Sequence, residues 1–269
     1  MFPDIPFYVA ILFVLVGLYL LSWSANKFID GSSAKALGVS PFVIGMVVIG
    51  FGTSAPELFV SALSGFADKS DLSLGNAYGS CIFNIAVILG VASIIRPLQV
   101  KPSSTFVAVP ALIAISALSC LLVAAGGGFS RMDGIILLIV FAVLLPVYCW
   151  FDQKQKNEAK AKQPEPPAGE PQPRMGRACF DLVLGLALLV GSSHILVWGS
   201  VDLARAMGVS ELLIGLTIVA AGTSLPELAS AVVSARKGEH EFVLGNIIGS
   251  NFFNTLAVVG LAGSISPFK

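Results

Sequence analysis

The sequence predicts an all-α fold: a polytopic membrane protein of two inverted-topology repeats, eight spans in all, with broken second and seventh helices. Three observations carry that expectation: an apolar composition, eight long apolar runs, and an internal repeat centred on residues that membranes normally exclude. Of 269 residues, 55% are hydrophobic and 12% charged, and mean hydropathy is +0.86. Soluble domains carry about a quarter charged residues, so a bilayer is the solvent this composition fits. Lys and Arg total 16 and Asp and Glu total 16. The chain therefore has no basic surplus for a phosphate backbone, which excludes nucleic acid as a partner. Cys81, Cys120, Cys149 and Cys179 have no CxxC spacing and read as buried free thiols rather than a disulfide framework or a zinc site.

A hydrocarbon core of about 30 Å needs about 20 helical residues. Runs of that kind lie at 7–23, 42–66, 72–95, 106–125, 134–151, 182–201, 212–235 and 242–265. The first is preceded by Asp4 and by no Lys or Arg, and it is too long for a signal-peptide core, so it is a retained helix. The second and seventh each carry a proline and a glutamate in mid-run; the third and eighth each open on Gly-Asn. The fourth and fifth are uninterrupted, and the sixth contains His194. Neither His194 nor His240 has a repeat counterpart, which favours core or interfacial roles for both.

Between the fifth and sixth runs the composition turns to Lys, Gln and Glu and then to a Pro-rich stretch over 164–173. Such a stretch is a solvated, semi-extended linker. The chain thus divides into a first half of five spans (1–151), a linker (152–178) that reads as a tether rather than a regulatory loop, and a second half of three spans (179–269). With the N-terminus outside, the inner loops hold Lys27, Lys35, Arg96, Lys101, Arg236, Lys237 and the basic residues of the linker. The outer side keeps Lys69, Arg131, Arg205 and Lys269. The positive-inside rule then places the linker in the cytoplasm.

Sliding the chain by 170 residues aligns 36–90 with 206–260 without a gap, and about 21 of about 55 positions are identical. Gly52-Thr53-Ser54-Ala55-Pro56-Glu57-Leu58 pairs with Gly222-Thr223-Ser224-Leu225-Pro226-Glu227-Leu228. Gly75-Asn76-x-x-Gly79-Ser80-x-x-Phe83-Asn84 pairs with Gly245-Asn246-x-x-Gly249-Ser250-x-x-Phe253-Asn254. Five crossings, an odd number, separate the two lead helices, so the copies traverse the membrane in opposite directions. Inverted repeats of this kind recur in secondary transporters, with the substrate near the midplane where the copies meet.

Proline removes a backbone donor and glycine tolerates the resulting distortion, so Gly50, Gly52 and Pro56, and likewise Gly222 and Pro226, should break the two lead helices. The expectation is unwound carbonyls over 50–53 and 220–223, facing a cation. Glu57 and Glu227 are the sharpest signals. An ionised carboxylate at the bilayer centre costs at least about 2.5–3.5 kcal/mol, and no Lys or Arg lies within the apolar cores to offset it. A mobile cation is the simplest partner.

Ser54, Glu57, Ser61 and Ser64 share one side of a helix, as do Ser80 and Asn84; the second copy offers Thr223, Ser224, Glu227, Ser250 and Asn254. Carboxylate, amide, hydroxyl and backbone oxygens without imidazole or thiolate suit a hard cation such as Ca²⁺ rather than zinc or copper. Each of these serines reads equally as a helix-internal hydrogen-bonding residue. Asn76 and Asn246, each beside a glycine at a helix start, read equally as caps. Cys81 stands opposite Asn251 in the alignment, which argues against that position as a ligand.

At these motifs the sequence resembles the cation/Ca²⁺ exchanger superfamily, specifically the small prokaryotic sodium/calcium exchanger proteins. The resemblance rests on the paired Gly-Thr-Ser-x-Pro-Glu and Gly-Asn-x-x-Gly-Ser-x-x-Phe-Asn segments and on the order of spans over most of the chain. It implies an inner-membrane antiporter with Ca²⁺ and Na⁺ as cargo and no cofactor. Thr53, Ser54, Glu57, Ser80 and Asn84, with Thr223, Ser224, Glu227, Ser250 and Asn254, would form three or four adjacent cation sites. It further implies that the first and sixth helices slide past the core to expose the cluster alternately. Asn254 is an amide where some relatives carry aspartate, which leans towards potassium independence. The family has ten helices, so the second half here lacks counterparts to the fourth and fifth spans. A proton-coupled cation exchanger is the alternative within the same class. An intramembrane hydrolase using Ser54 or Ser224 with His194 fits poorly, because the serines are duplicated and the histidine is not.

Overall fold

The computed structural model describes residues 5–32, 40–66, 70–99, 102–125, 128–160, 175–214, 218 and 220–267. They form α1 (Phe7–Gly31), α2 (Pro41–Thr53), α3 (Ala55–Phe66), α4 (Ser70–Phe83 continued through Asn84–Ile88 to Leu89–Ile95), α5 (Pro102–Ala125), α6 (Arg131–Lys160) and α7 (Met175–Ala206). The second repeat adds α8 (Glu211–Ile214), α9 (Ala220–Gly222), α10 (Leu225–Lys237) and α11 (His240–Phe252 continued through Phe253–Val258 to Val259–Ile265). The fold is all-α and membrane-embedded. Among the described residues six helices are long and apolar enough to cross a bilayer, or seven when α2 and α3, bent by 45°, are taken together as one broken span. The seventh run read from the sequence, 212–235, passes through residues outside those described.

Local chemistry marks the repeat twice over. Ser40 caps α2 by accepting from the Val43 amide at 3.1 Å, and Ser210, its counterpart 170 positions on, accepts from the Leu213 amide at 3.4 Å. Serine is a favoured helix start because its hydroxyl satisfies one of the orphan N–H groups there. At the other end of the lead element, Gly238 closes α10 at φ +77°, a left-handed conformation that favours glycine.

The breaks are narrower than the sequence suggested. Gly50–Thr53 and Ala220–Gly222 remain helical, and the chain leaves the helix at Ser54 in one copy and at Thr223–Ser224 in the other. Pro56 cannot donate to the carbonyl four residues back, but the turn before it stays closed by other bonds. The Ser54 amide donates to the Gly50 carbonyl at 3.1 Å, and the Thr53 hydroxyl donates to the Ile49 carbonyl at 3.0 Å. The irregularity appears instead as π-helix, over Ile44–Ile49 in α2, Asn84–Ile88 in α4 and Phe253–Val258 in α11. Such wide turns are rare and concentrate at functional sites.

Two glycine-rich crossings organise the bundle. Along α1 and α7 a Cβ on Gly17 would come within 2.8 Å of Leu196 and one on Gly31 within 2.3 Å of Leu182, so the helices run antiparallel in backbone contact. Along α2 and α11 a Cβ on Gly245 would sit 2.3 Å from the Phe42 carbonyl and one on Gly249 the same distance from the Met46 carbonyl, a parallel crossing. Lipid gives apolar helices no hydrophobic reason to associate, so close approach through small residues supplies the contact. The apolar window of α11 is wholly buried, whereas α1, α5 and α6 expose most of theirs. Thus α11 is the axis, and Phe106, Ile139 and Leu15 face outward as a lipid surface would require. All four cysteines are free, but Cys120 and Cys179 are exposed on the protein surface instead of buried.

Candidate cation site

The two repeats exchange partners at the centre of the bundle. The break after α2 lies against α11 of the second repeat, and the break after α9 lies against α4 of the first. The Thr53 hydroxyl donates to Asn246 Oδ1 at 3.3 Å and stands 3.5 Å from Ser250 Oγ. In the mirror position the Thr223 hydroxyl donates to Asn76 Oδ1 at 3.5 Å, and Ser224 Oγ donates to Ser80 Oγ at 3.2 Å. The two threonine–asparagine bonds join positions related by the 170-residue offset, so the pseudo-twofold read from the sequence is present in that pair of contacts, whereas Ser224 bonds Ser80 and its counterpart Ser54 bonds Glu227.

Glu57 and Glu227 occupy the first turns of α3 and α10, where the helix dipole favours negative charge. Their relative exposures are 0% and 1%, and their charges act on one another. Glu227 Oε1 accepts from Ser54 Oγ at 3.3 Å, and the Thr53 side chain also reaches this carboxylate. The Thr223 side chain faces Glu57 in the equivalent way. Glu227 is therefore approached by the Thr-Ser pair of the opposite copy and Glu57 by its Thr223, while Ser224 turns to Ser80.

Several oxygens at this centre make no hydrogen bond: both of Glu57, Oε2 of Glu227, and Oδ1 of Asn84 and of Asn254. Buried unsatisfied polar atoms number only a few per 100 residues in native proteins, so such a cluster points to a ligand. Among the described residues no ion pair involves Glu57 or Glu227, and no group of three His, Cys, Asp or Glu side chains forms a transition-metal cage. Hard oxygen donors with two acids are what remains, which suits Na⁺ or Ca²⁺ as cargo.

Thr53, Ser54, Glu57, Ser80, Thr223, Ser224, Glu227 and Ser250 meet here, while Asn84 and Asn254 lie buried one turn along from Ser80 and Ser250, in the wide turns that reshape α4 and α11. Asn246 is no cap: it lies inside α11 at 1% exposure, and its Nδ2 donates to the Glu227 carbonyl at 3.3 Å. Asn76 is likewise inside α4. Asn251, which sequence reasoning did not select, accepts from Asn84 Nδ2 at 3.2 Å. The missed signal was spacing, since Asn76, Ser80 and Asn84, like Asn246, Ser250 and Asn254, recur every four residues and form one stripe. Ser61 holds structure: it accepts from Ser73 at 2.6 Å and donates to the Val258 carbonyl at 2.8 Å, tying α3 to the wide turn of α11. His194 is exposed beside a cavity of about 500 Å³ lined by Pro56, Phe59, Ser193 and Thr223. The Ser54 and Ser224 hydroxyls donate to Glu227 and Ser80, not to His194.

The sodium/calcium exchanger protein family model matches residues 9–150 and 179–269. The chain belongs to this family. Sodium/calcium exchanger proteins are transporters, so the chain is a membrane-embedded cation antiporter and not an enzyme, with its ions as cargo and no cofactor. It is 42% identical to the putative antiporter CaxA of Alkalimonas amylolytica over 264 residues, covering 96% of this chain and 82% of that one. It is 30% identical to the sodium/calcium exchanger MaX1 of Methanosarcina acetivorans over 311 residues, covering 96% and 83%. A solved structure of the sodium-calcium exchanger NCX_Mj, soaked with Na⁺ and Sr²⁺, superposes with a TM-score of 0.82 at 31% identity, covering 97% of this chain and 84% of that one.

Proposed function

We propose that this exchanger moves Ca²⁺ against Na⁺ by alternating access, holding the ions between Glu57 and Glu227 near the bilayer midplane. The observation that carries the reading is the unpartnered oxygen cluster around two buried glutamates from inverted copies. Thr53, Ser54, Ser80 and Asn84, with Thr223, Ser224, Ser250 and Asn254, complete the ligand set. Two carboxylates neutralise one Ca²⁺, or part of the charge of several Na⁺, so the two cargoes compete for the same oxygens. A fixed site of this kind couples gradients only if it opens to one side at a time.

The tightly packed α1 and α7 pair is the element that moves. Gly52 rests against the Phe28 and Leu186 side chains and Gly222 against Val197, so the pair touches both broken helices beside the site. The basic residues place the N-terminus outside the inner membrane and the 152–178 segment in the cytoplasm, where it tethers the halves 1–151 and 179–269. With an amide at Asn254, exchange proceeds without K⁺.

In reconstituted vesicles an outward or inward Na⁺ gradient should drive ⁴⁵Ca²⁺ flux in the opposite direction, and Glu57→Gln or Glu227→Gln should abolish it without loss of folded protein. Retained flux in both variants would sink the site assignment. Flux driven by a pH gradient and indifferent to Na⁺ would instead show that protons occupy the two carboxylates.

A further inference from the structure

Asn84 and Asn254 are equivalent positions of the two copies and both are buried, yet their surroundings differ. Asn84 Nδ2 donates to Asn251 Oδ1 at 3.2 Å between α4 and α11, and its own Oδ1 is left without a partner. Neither Nδ2 nor Oδ1 of Asn254 makes a hydrogen bond among the described residues. The sequence accounts for the difference. The counterpart of Asn251, 170 positions earlier, is Cys81, whose Sγ lies 3.6 Å from Thr255 Oγ1 and 4.0 Å from the Asn251 carbonyl. An asparagine amide carries an acceptor oxygen on one side and a donor NH₂ of similar size on the other. A hydrogen bond decides which side faces a neighbour, so the Asn84 amide is held and the Asn254 amide is not.

We infer that Asn251 is a positioning residue for Ca²⁺: by accepting from Asn84 Nδ2 it turns the Asn84 carbonyl oxygen towards the ions and favours a divalent cargo. The inference rests on reading Asn84 as a cation ligand. Without Asn251 the amide is free to present its NH₂, whose partial positive charge repels a cation. The energy of an ion beside a dipole scales with the charge of the ion, so the wrong face costs Ca²⁺ about twice what it costs Na⁺. Groups that hold a ligand in orientation tune metal affinity without touching the metal. The second copy has no equivalent device, so this preference enters through the first.

Ion binding by purified full-length protein can be read as the rise in melting temperature with added Ca²⁺ or Na⁺, which also shows that each variant is folded. Asn251→Leu should raise the half-saturating Ca²⁺ concentration on the order of 10–100-fold and that of Na⁺ by only about 3–10-fold. Asn251→Ser, too short to hold Asn84, should repeat this result should leucine not be accommodated. In Asn84→Asp protein, whose carboxylate has oxygen on both sides, Asn251→Leu should change Ca²⁺ binding by less than about twofold. Equal losses for the two ions, or an undiminished Ca²⁺ loss in the Asn84→Asp background, overturn the inference and leave Asn251 a packing residue. Asn84→Ala separates the two readings. Binding of both ions unchanged by Asn84→Ala shows that Asn84 is no ligand, whereas binding weakened by it but indifferent to Asn251→Leu keeps the ligand and removes the role of Asn251.

Discussion

Asn246 shows how much of the centre depends on neutral side chains. Its Oδ1 accepts from Thr53 and from Ser250, and its Nδ2 donates to the Glu227 carbonyl, so one amide links both broken helices to α11. Asn246→Ala strands a buried carbonyl and frees two hydroxyls. The expected result is a loss of about 1–3 kcal/mol of stability, read as a lower melting temperature in detergent, with weaker Ca²⁺ activation of flux. Asn246→Gln, which keeps the groups but shifts them by a methylene, should restore part of the stability. Glu57 and Glu227 were legible in the sequence because hydrocarbon penalises charge so heavily that any acid in an apolar run demands a reason. Asn76, Asn246 and Asn251 were not, since an uncharged amide is compatible with a cap, a packing contact or a ligand, and only geometry separates these.

The helices repeat the same lesson in backbone terms. Proline and the duplicated motifs announced two broken elements, and the 45° bend between α2 and α3 agrees with that. The wide turns over Ile44–Ile49, Asn84–Ile88 and Phe253–Val258 left no such mark. One additional residue per turn alters neither composition nor apolar periodicity enough to be noticed. The parallel α2 and α11 crossing makes a sharper demand. A methyl group on Gly245 or Gly249 would meet backbone at 2.3 Å, which only separation of the helices relieves. Gly245→Ala or Gly249→Ala should each cost about 1–3 kcal/mol and depress flux more than Gly191→Ala, whose added carbon meets nothing within 4 Å among the described residues. Equal melting temperatures for the three variants would refute the crossing.

Across the whole molecule, charge collects at the helix ends. Lys237 bonds Asp30 at 2.7 Å, linking α10 to α1, and Lys27 reaches Asp181 at 3.4 Å, linking α1 to α7. Beside them burial pushes the Glu239 carboxyl above its usual 4.5, with Lys237 opposing and Asp30 adding to the rise. The folded protein thus keeps a proton at pH values where the unfolded chain has lost it. Stability is favoured at low pH and declines as pH climbs through the window above 4.5. Melting curves across that window should flatten in Glu239→Gln; an unchanged slope would assign the dependence to other groups. Span order and inverted symmetry could be read directly, because both are properties of long sequence segments, whereas the identity of touching helices could not. That identity has a consequence for inheritance. Because Thr53 bonds Asn246 and Thr223 bonds Asn76, each copy of the duplicated motif completes the other. Neither half owns a site it can alter alone, so a change in one lineage of the duplication has to be answered in its twin.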